Sequence, residues 1–183
     1  MKKNIISHVL LFVMCLAYPV IGKAQTYSGH FNVGMSMYYQ RGLSATVAYE
    51  FEKKYRHSYE FYGTYYLKYE EDPSVGHITS DSFWKSYNTW EIGVAYKPCV
   101  FRGHNAHGNM RLGGGVGSSI ERGEDNGLFS DILGGLHVGY EHSYILRHGW
   151  NFYWQVNADV IINGKDTFRP GVTLGVKIPS SRR

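Results

Sequence analysis

Cysteine is nearly absent from this chain of 183 residues: Cys15 and Cys99 are the only two, and Cys15 lies in the N-terminal apolar run. That run, Val9 to Val20, is also the only long apolar stretch, so the remainder offers no helix able to cross a bilayer. A basic start (Met1-Lys2-Lys3), the run itself, and Gly22-Lys23-Ala24 before Gln25 predict a secretory signal peptide over 1–24, cleaved after Ala24. A retained anchor is disfavoured by the run's brevity and by Pro19, and a lipoprotein by Met14 standing where a small residue should precede Cys15. Cleavage would leave Cys99 alone and exclude an internal disulfide. Charge of one sign is scarce too. The precursor's 19 Lys+Arg fall to 16 when Lys2, Lys3 and Lys23 leave, against 15 Asp+Glu, a net charge of +1. The basic isoelectric point therefore says little about nucleic acid, whose binding needs a clustered basic face, and no direct nucleic-acid binding is expected.

What is abundant is alternation. Trp150, Phe152, Trp154, Val156, Ala158, Val160 and Ile162 share one parity, and Asn151, Tyr153, Gln155, Asn157 and Asp159 the other. Phe168, Pro170, Val172, Leu174, Val176 and Ile178 alternate in the same way with Arg169, Gly171, Thr173, Gly175 and Lys177. A period of two is strand geometry, because successive side chains leave opposite faces. About eight such segments follow one another, starting near Tyr27, Leu43, Ser58, Thr89, Asn109, Ile132, Trp150 and Phe168. Strands of roughly nine to eleven residues suit a tilted wall crossing a bilayer. The fold class expected for 25–183 is all-β: a single up-and-down antiparallel transmembrane β-barrel of about eight strands.

A soluble calyx would turn its apolar parity inward around a ligand. Here that parity is ordered by height. Tyr49, Phe51, Tyr59, Phe61, Tyr96, Tyr140, Trp150 and Phe152 mark one rim and Tyr39, Tyr69, Trp90 and Phe168 the other, with Val33, Val47, Ile92, Val94, Leu112, Val138, Val156 and Leu174 between. Two aromatic girdles around an aliphatic band match a lipid-facing wall, with Tyr65 near mid-strand as an exception. The opposite parity carries Glu60, Glu91, Arg111, Asp159, Arg169 and Lys177, which lipid would not tolerate unpaired. Eight strands leave room for side chains only, so this polar face predicts a plugged lumen in which Arg111 and Arg169 find carboxylates. Gly93, Gly113, Gly115, Gly135, Gly171 and Gly175 would make space for the bulky groups, and a general diffusion channel is disfavoured.

With both ends of the chain periplasmic, the loops at 70–86 and 120–131 and the 163–167 turn face outward; 98–107 is then long for a periplasmic connection. A lipid-modifying active site would need a nucleophile and base near the outer rim, and Ser118, Ser119 and His77 are the candidates, without diagnostic spacing. His104 and His107 could form half a metal site but lack a nearby carboxylate or cysteine, and Gly113 to Gly117 has neither helix nor Lys-Ser/Thr behind it to cradle phosphate. The expectation is no catalytic, cofactor-binding or metal-binding residue, no cofactor, and outer-membrane lipid as the immediate partner, with oligomeric state left open.

The Gly113-to-Gly117 strand end, Gly134-Gly135-Leu136-His137-Val138-Gly139-Tyr140-Glu141, Trp90-Glu91-Ile92-Gly93-Val94-Ala95-Tyr96 and above all Phe168-Arg169-Pro170-Gly171-Val172-Thr173-Leu174-Gly175-Val176 resemble TraO-type conjugal transfer proteins of Bacteroidetes conjugative transposons. The likeness covers most of the mature chain in layout. It implies a non-catalytic outer-membrane component of a mating apparatus, working beside other conjugal transfer proteins. A general outer-membrane structural or adhesion barrel is the first alternative, and a lipid-A-modifying barrel enzyme the second.

Overall fold

The computed structural model describes residues 28–53, 56–69, 87–122, 128–146 and 149–180. The signal-peptide expectation for 1–24, the 70–86 loop and His77 lie outside them. Among the described residues ten strands follow in chain order: β1 (Ser28–Tyr38), β2 (Gly42–Glu52), β3 (Ser58–Lys68), β4 (Tyr87–Lys97), β5 (Cys99–Arg102), β6 (Ala106–Arg122), β7 (Leu128–Phe129), β8 (Ile132–Ile145), β9 (Asn151–Ile162) and β10 (Phe168–Pro179). Eight of these form the wall, each antiparallel to its neighbours, and β1 pairs with β10. Pairing of β4 with β6, from Asn88 opposite Ile120 to Tyr96 opposite Leu112, completes the ring. Closure matters because it leaves no wall strand with an unpaired edge, a requirement for backbone held in lipid.

The alternation seen in the sequence separates the two faces. Met35, Val47, Ile92 and Leu174 are each more than half exposed on the outer wall, whereas Asn32, Glu60, Arg111 and Lys177 are buried in the lumen. An exterior of exposed aliphatics around an ionic interior inverts the order of a water-soluble barrel and suits lipid. Tyr65 is no exception to the girdle: the β3–β4 register sets it opposite Trp90, so both rings occupy the same rim.

Two connections differ from expectation. The 98–107 segment is a hairpin rather than an open loop. β5 pairs with an extended β6, Gly103 N donates to Ala106 O at 2.8 Å, and Met110 N donates to Pro98 O at 3.0 Å. A register shift between Cys99 and Phe101 interrupts the period of two there, which hides the hairpin from pattern reading. Likewise β6 runs to Arg122 and pairs Glu121 and Arg122 with Phe129 and Leu128, so parts of the expected 120–131 loop are strand. The 163–167 turn stands as expected, with Asn163 at φ 65°, a left-handed conformation that Asn accepts readily.

Candidate functional site

The lumen is the part of the molecule richest in chemistry, and it is built in three layers. Nearest the end where β1 begins and β10 stops, the terminus-bearing end, Lys97 closes β4 and Lys177 lies late in β10. Lys97 Nζ sits 2.9 Å from Glu50, 3.1 Å from Glu60 and 2.5 Å from Glu141. Lys177 Nζ is 2.8 Å from Glu50 and 2.5 Å from Glu141, and Arg111 Nε is 2.9 Å from Glu60. Three carboxylates thus meet three cations, with neither lysine exposed beyond 1 %. Asn32 donates to Glu50 at 2.8 Å and Ser143 to Glu141 at 3.1 Å, occupying lone pairs that the cations leave. Desolvated charges are tolerable only in such company.

Glu50, Glu60 and Glu141 bring their oxygens within 4.8 Å of one another, the spacing of a metal-binding triad. Two ammonium groups already bridge those oxygens, so the cluster supplies its own cations.

In the middle layer His137 bridges two carboxylates, Nε2 at 2.6 Å from Glu91 and Nδ1 at 2.8 Å from Asp159. Where both carboxylates are ionised they only accept, and both ring nitrogens then donate. Tyr62 donates to Glu91 at 2.7 Å and Tyr38 to Asp159 at 3.1 Å. Gly115 and Gly135 make this layer possible: a Cβ on either would collide with the Glu91 carboxylate.

Toward the other end Lys68 pairs with Asp166 at 2.7 Å, and Tyr66 donates to the same carboxylate at 3.3 Å. Arg169 departs from expectation here. It is inward and buried as predicted, but among the described residues it meets Thr89 Oγ1 at 3.4 Å and two rings, Tyr66 with its centre 3.9 Å from the guanidinium carbon and Tyr87 at 5.9 Å. Its cross-strand neighbour Asp159 is turned to His137 and Tyr38 instead. Arg111, by contrast, has its carboxylate.

The catalytic candidates do not assemble among the described residues. Ser118 Oγ donates to the Ser119 carbonyl at 3.1 Å, and Ser119 Oγ exchanges hydrogen bonds with the Asp131 backbone. Neither hydroxyl is set against a side-chain base. His104 is exposed in the hairpin turn while His107 is buried in the lumen, so the two do not share a site. Pattern reading missed Lys97, the centre of the largest ion cluster, because it ends its strand immediately before Pro98.

No family model and no curated protein matches this chain. Among solved structures, it is similar to Neisserial surface protein A at 11 % identity, covering 83 % of this chain and 94 % of that one with a TM-score of 0.54. A major outer membrane protein from Thermus thermophilus matches at 12 % identity over 85 % of this chain and all of that one, TM-score 0.54. The Yersinia pestis outer membrane protein Ail matches at 11 % identity over 84 % and 99 %, also at 0.54. At these identities what is shared is the fold. A wall apolar outside and ionic inside, closed into the barrel that outer-membrane proteins use, puts this chain in the outer membrane.

Proposed function

We propose that the protein is a non-catalytic structural or adhesion barrel of the outer membrane that works through the segments on its rims. The filled lumen carries this reading. Lys97, Lys177, Arg111 and His137 with their carboxylates occupy the cross-section from one layer to the next, leaving a wall that meets lipid and connections that meet solvent. Loops on a rigid frame can carry recognition without disturbing the frame. Shortening 71–81 or 121–126 should leave insertion intact while reducing cell attachment or envelope integrity. Unchanged attachment and detergent sensitivity in both variants would sink the proposal. Replacing Ser118, Ser119 and His77 by Ala should leave lipid A unchanged; an altered profile would favour the enzyme alternative.

A finer reading rests on the closing-strand resemblance at 168–176: the rims serve a conjugative mating apparatus as a TraO-type component, contacting other transfer proteins. A strain lacking the gene should then transfer its element less often, with transfer restored by the native chain but not by a loop-shortened one. Normal mating in that strain would remove this reading and leave the general barrel.

A further inference from the structure

Charge is sorted between the two ends of the barrel. The three connections at the terminus-bearing end, 53–57, 98–105 and 146–150, contain five basic residues (Lys53, Lys54, Arg56, Arg102 and Arg147) and no Asp or Glu. The four at the opposite end, 39–41, 69–86, 120–131 and 163–167, contain nine acidic residues against four basic ones. In the sequence, then, the connections at the two ends carry net charge of opposite sign.

The height of the basic end is set by aromatic rings. Lys53 Nζ lies 4.5 Å above the Tyr59 ring, Tyr59 packs on Tyr96 at 5.1 Å, and Tyr96 stacks on His57 at 6.5 Å. Arg102 is exposed and follows Phe101, whose ring stacks on His142 at 5.6 Å, and His142 in turn stacks on the outward Trp154 at 5.6 Å. These rings continue the girdle that seats the wall at the lipid–water boundary. Cations held against a girdle are at headgroup depth, close to lipid phosphates and set back from a soluble macromolecule. We propose that Lys53, Arg56 and Arg102, with the aromatic rings beside them, form a collar that binds anionic phospholipid headgroups in the leaflet facing the terminus-bearing end. The Arg56 guanidinium also pairs with Glu52 at 2.8 Å, and its carbonyl accepts from Asn109 at 2.7 Å. The collar depends on the membrane position of the wall and is independent of what the opposite loops recognise.

The test uses the whole barrel in phosphatidylcholine nanodiscs carrying a small fraction of spin-labelled phosphatidylglycerol or spin-labelled phosphatidylcholine. A basic residue at an anionic surface changes local lipid occupancy up to roughly fivefold, so Lys53→Ser with Arg102→Ser should lower the glycerol-over-choline preference of the lipid shell by at least about twofold. High salt should erode the native preference in the same way. Lys53→Arg with Arg102→Lys should retain it, which separates charge from misfolding. An unchanged preference in the Ser variant, or one indifferent to salt, would overturn the proposal. So would salt-dependent binding of a short DNA duplex to the native barrel in uncharged discs that is lost in the Ser variant, since the collar's occupant would then be nucleic acid.

Discussion

Lys97 shows how much a single side chain can hold together. It comes from β4 and touches carboxylates on β2, β3 and β8, so one ammonium group ties four strands across the lumen. Lys97→Met would leave three buried carboxylates with Lys177 and Arg111 as their cations, and removal of one partner from such a set costs about 3–5 kcal/mol. Unfolding in urea from lipid vesicles should show that loss. Glu141→Gln in the same chain should recover part of it, because the two residues share one network. Arg111→Leu belongs with Lys97→Met, since it removes one of the two cations that meet Glu60, the other being Lys97. Arg169→Leu should cost clearly less, because it meets Thr89 and the Tyr66 and Tyr87 rings and, among the described residues, its removal orphans no carboxylate. Equal losses for Arg111→Leu and Arg169→Leu would contradict the pairing described.

At the scale of strands, each residue's cost of change depends on height as well as face. Val156 lies at the centre of β9 on the lipid side, while Ile132 opens β8 at the rim. Val156→Arg should destabilise by about 2–4 kcal/mol and Ile132→Arg by at most about 1 kcal/mol, the gradient expected for a cation moved from midplane to interface. Vesicle refolding of the two variants checks it. Face was legible in the sequence because the two sides of this wall meet opposite solvents, so parity alone placed Glu60, Glu91, Arg111, Asp159 and Lys177 inside. Depth on the inner face was not legible. Which inward residues meet is decided by the stagger of strands around the ring, and the lower cluster draws on β2, β3, β4, β6, β8 and β10. Thus Arg169, expected to find a carboxylate, lies against Tyr66, while His137 takes Asp159. Irregularity also hid what parity could not show: the shift at Cys99 and Phe101 masked the β5–β6 hairpin.

For the whole molecule, a closed wall, a filled lumen and polarised ends have consequences that can be read together. The barrel should migrate anomalously on gels until boiled and should show no steady conductance in planar bilayers, because buried ion pairs from different strands meet across the lumen. The wall's lipid contact is set by the even-numbered face of β9. Spin labels placed singly at Phe152, Val156, Ala158 and Ile162 in reconstituted protein measure this directly, by comparing collision with oxygen, which concentrates in lipid, and with a water-soluble nickel chelate. The ratio of oxygen to nickel access should peak at Val156 and Ala158 and fall toward Phe152 and Ile162. Nickel access at Val156 equal to or greater than oxygen access would mean that this face meets water, and the account of a lipid-facing wall around an ionic core would be wrong.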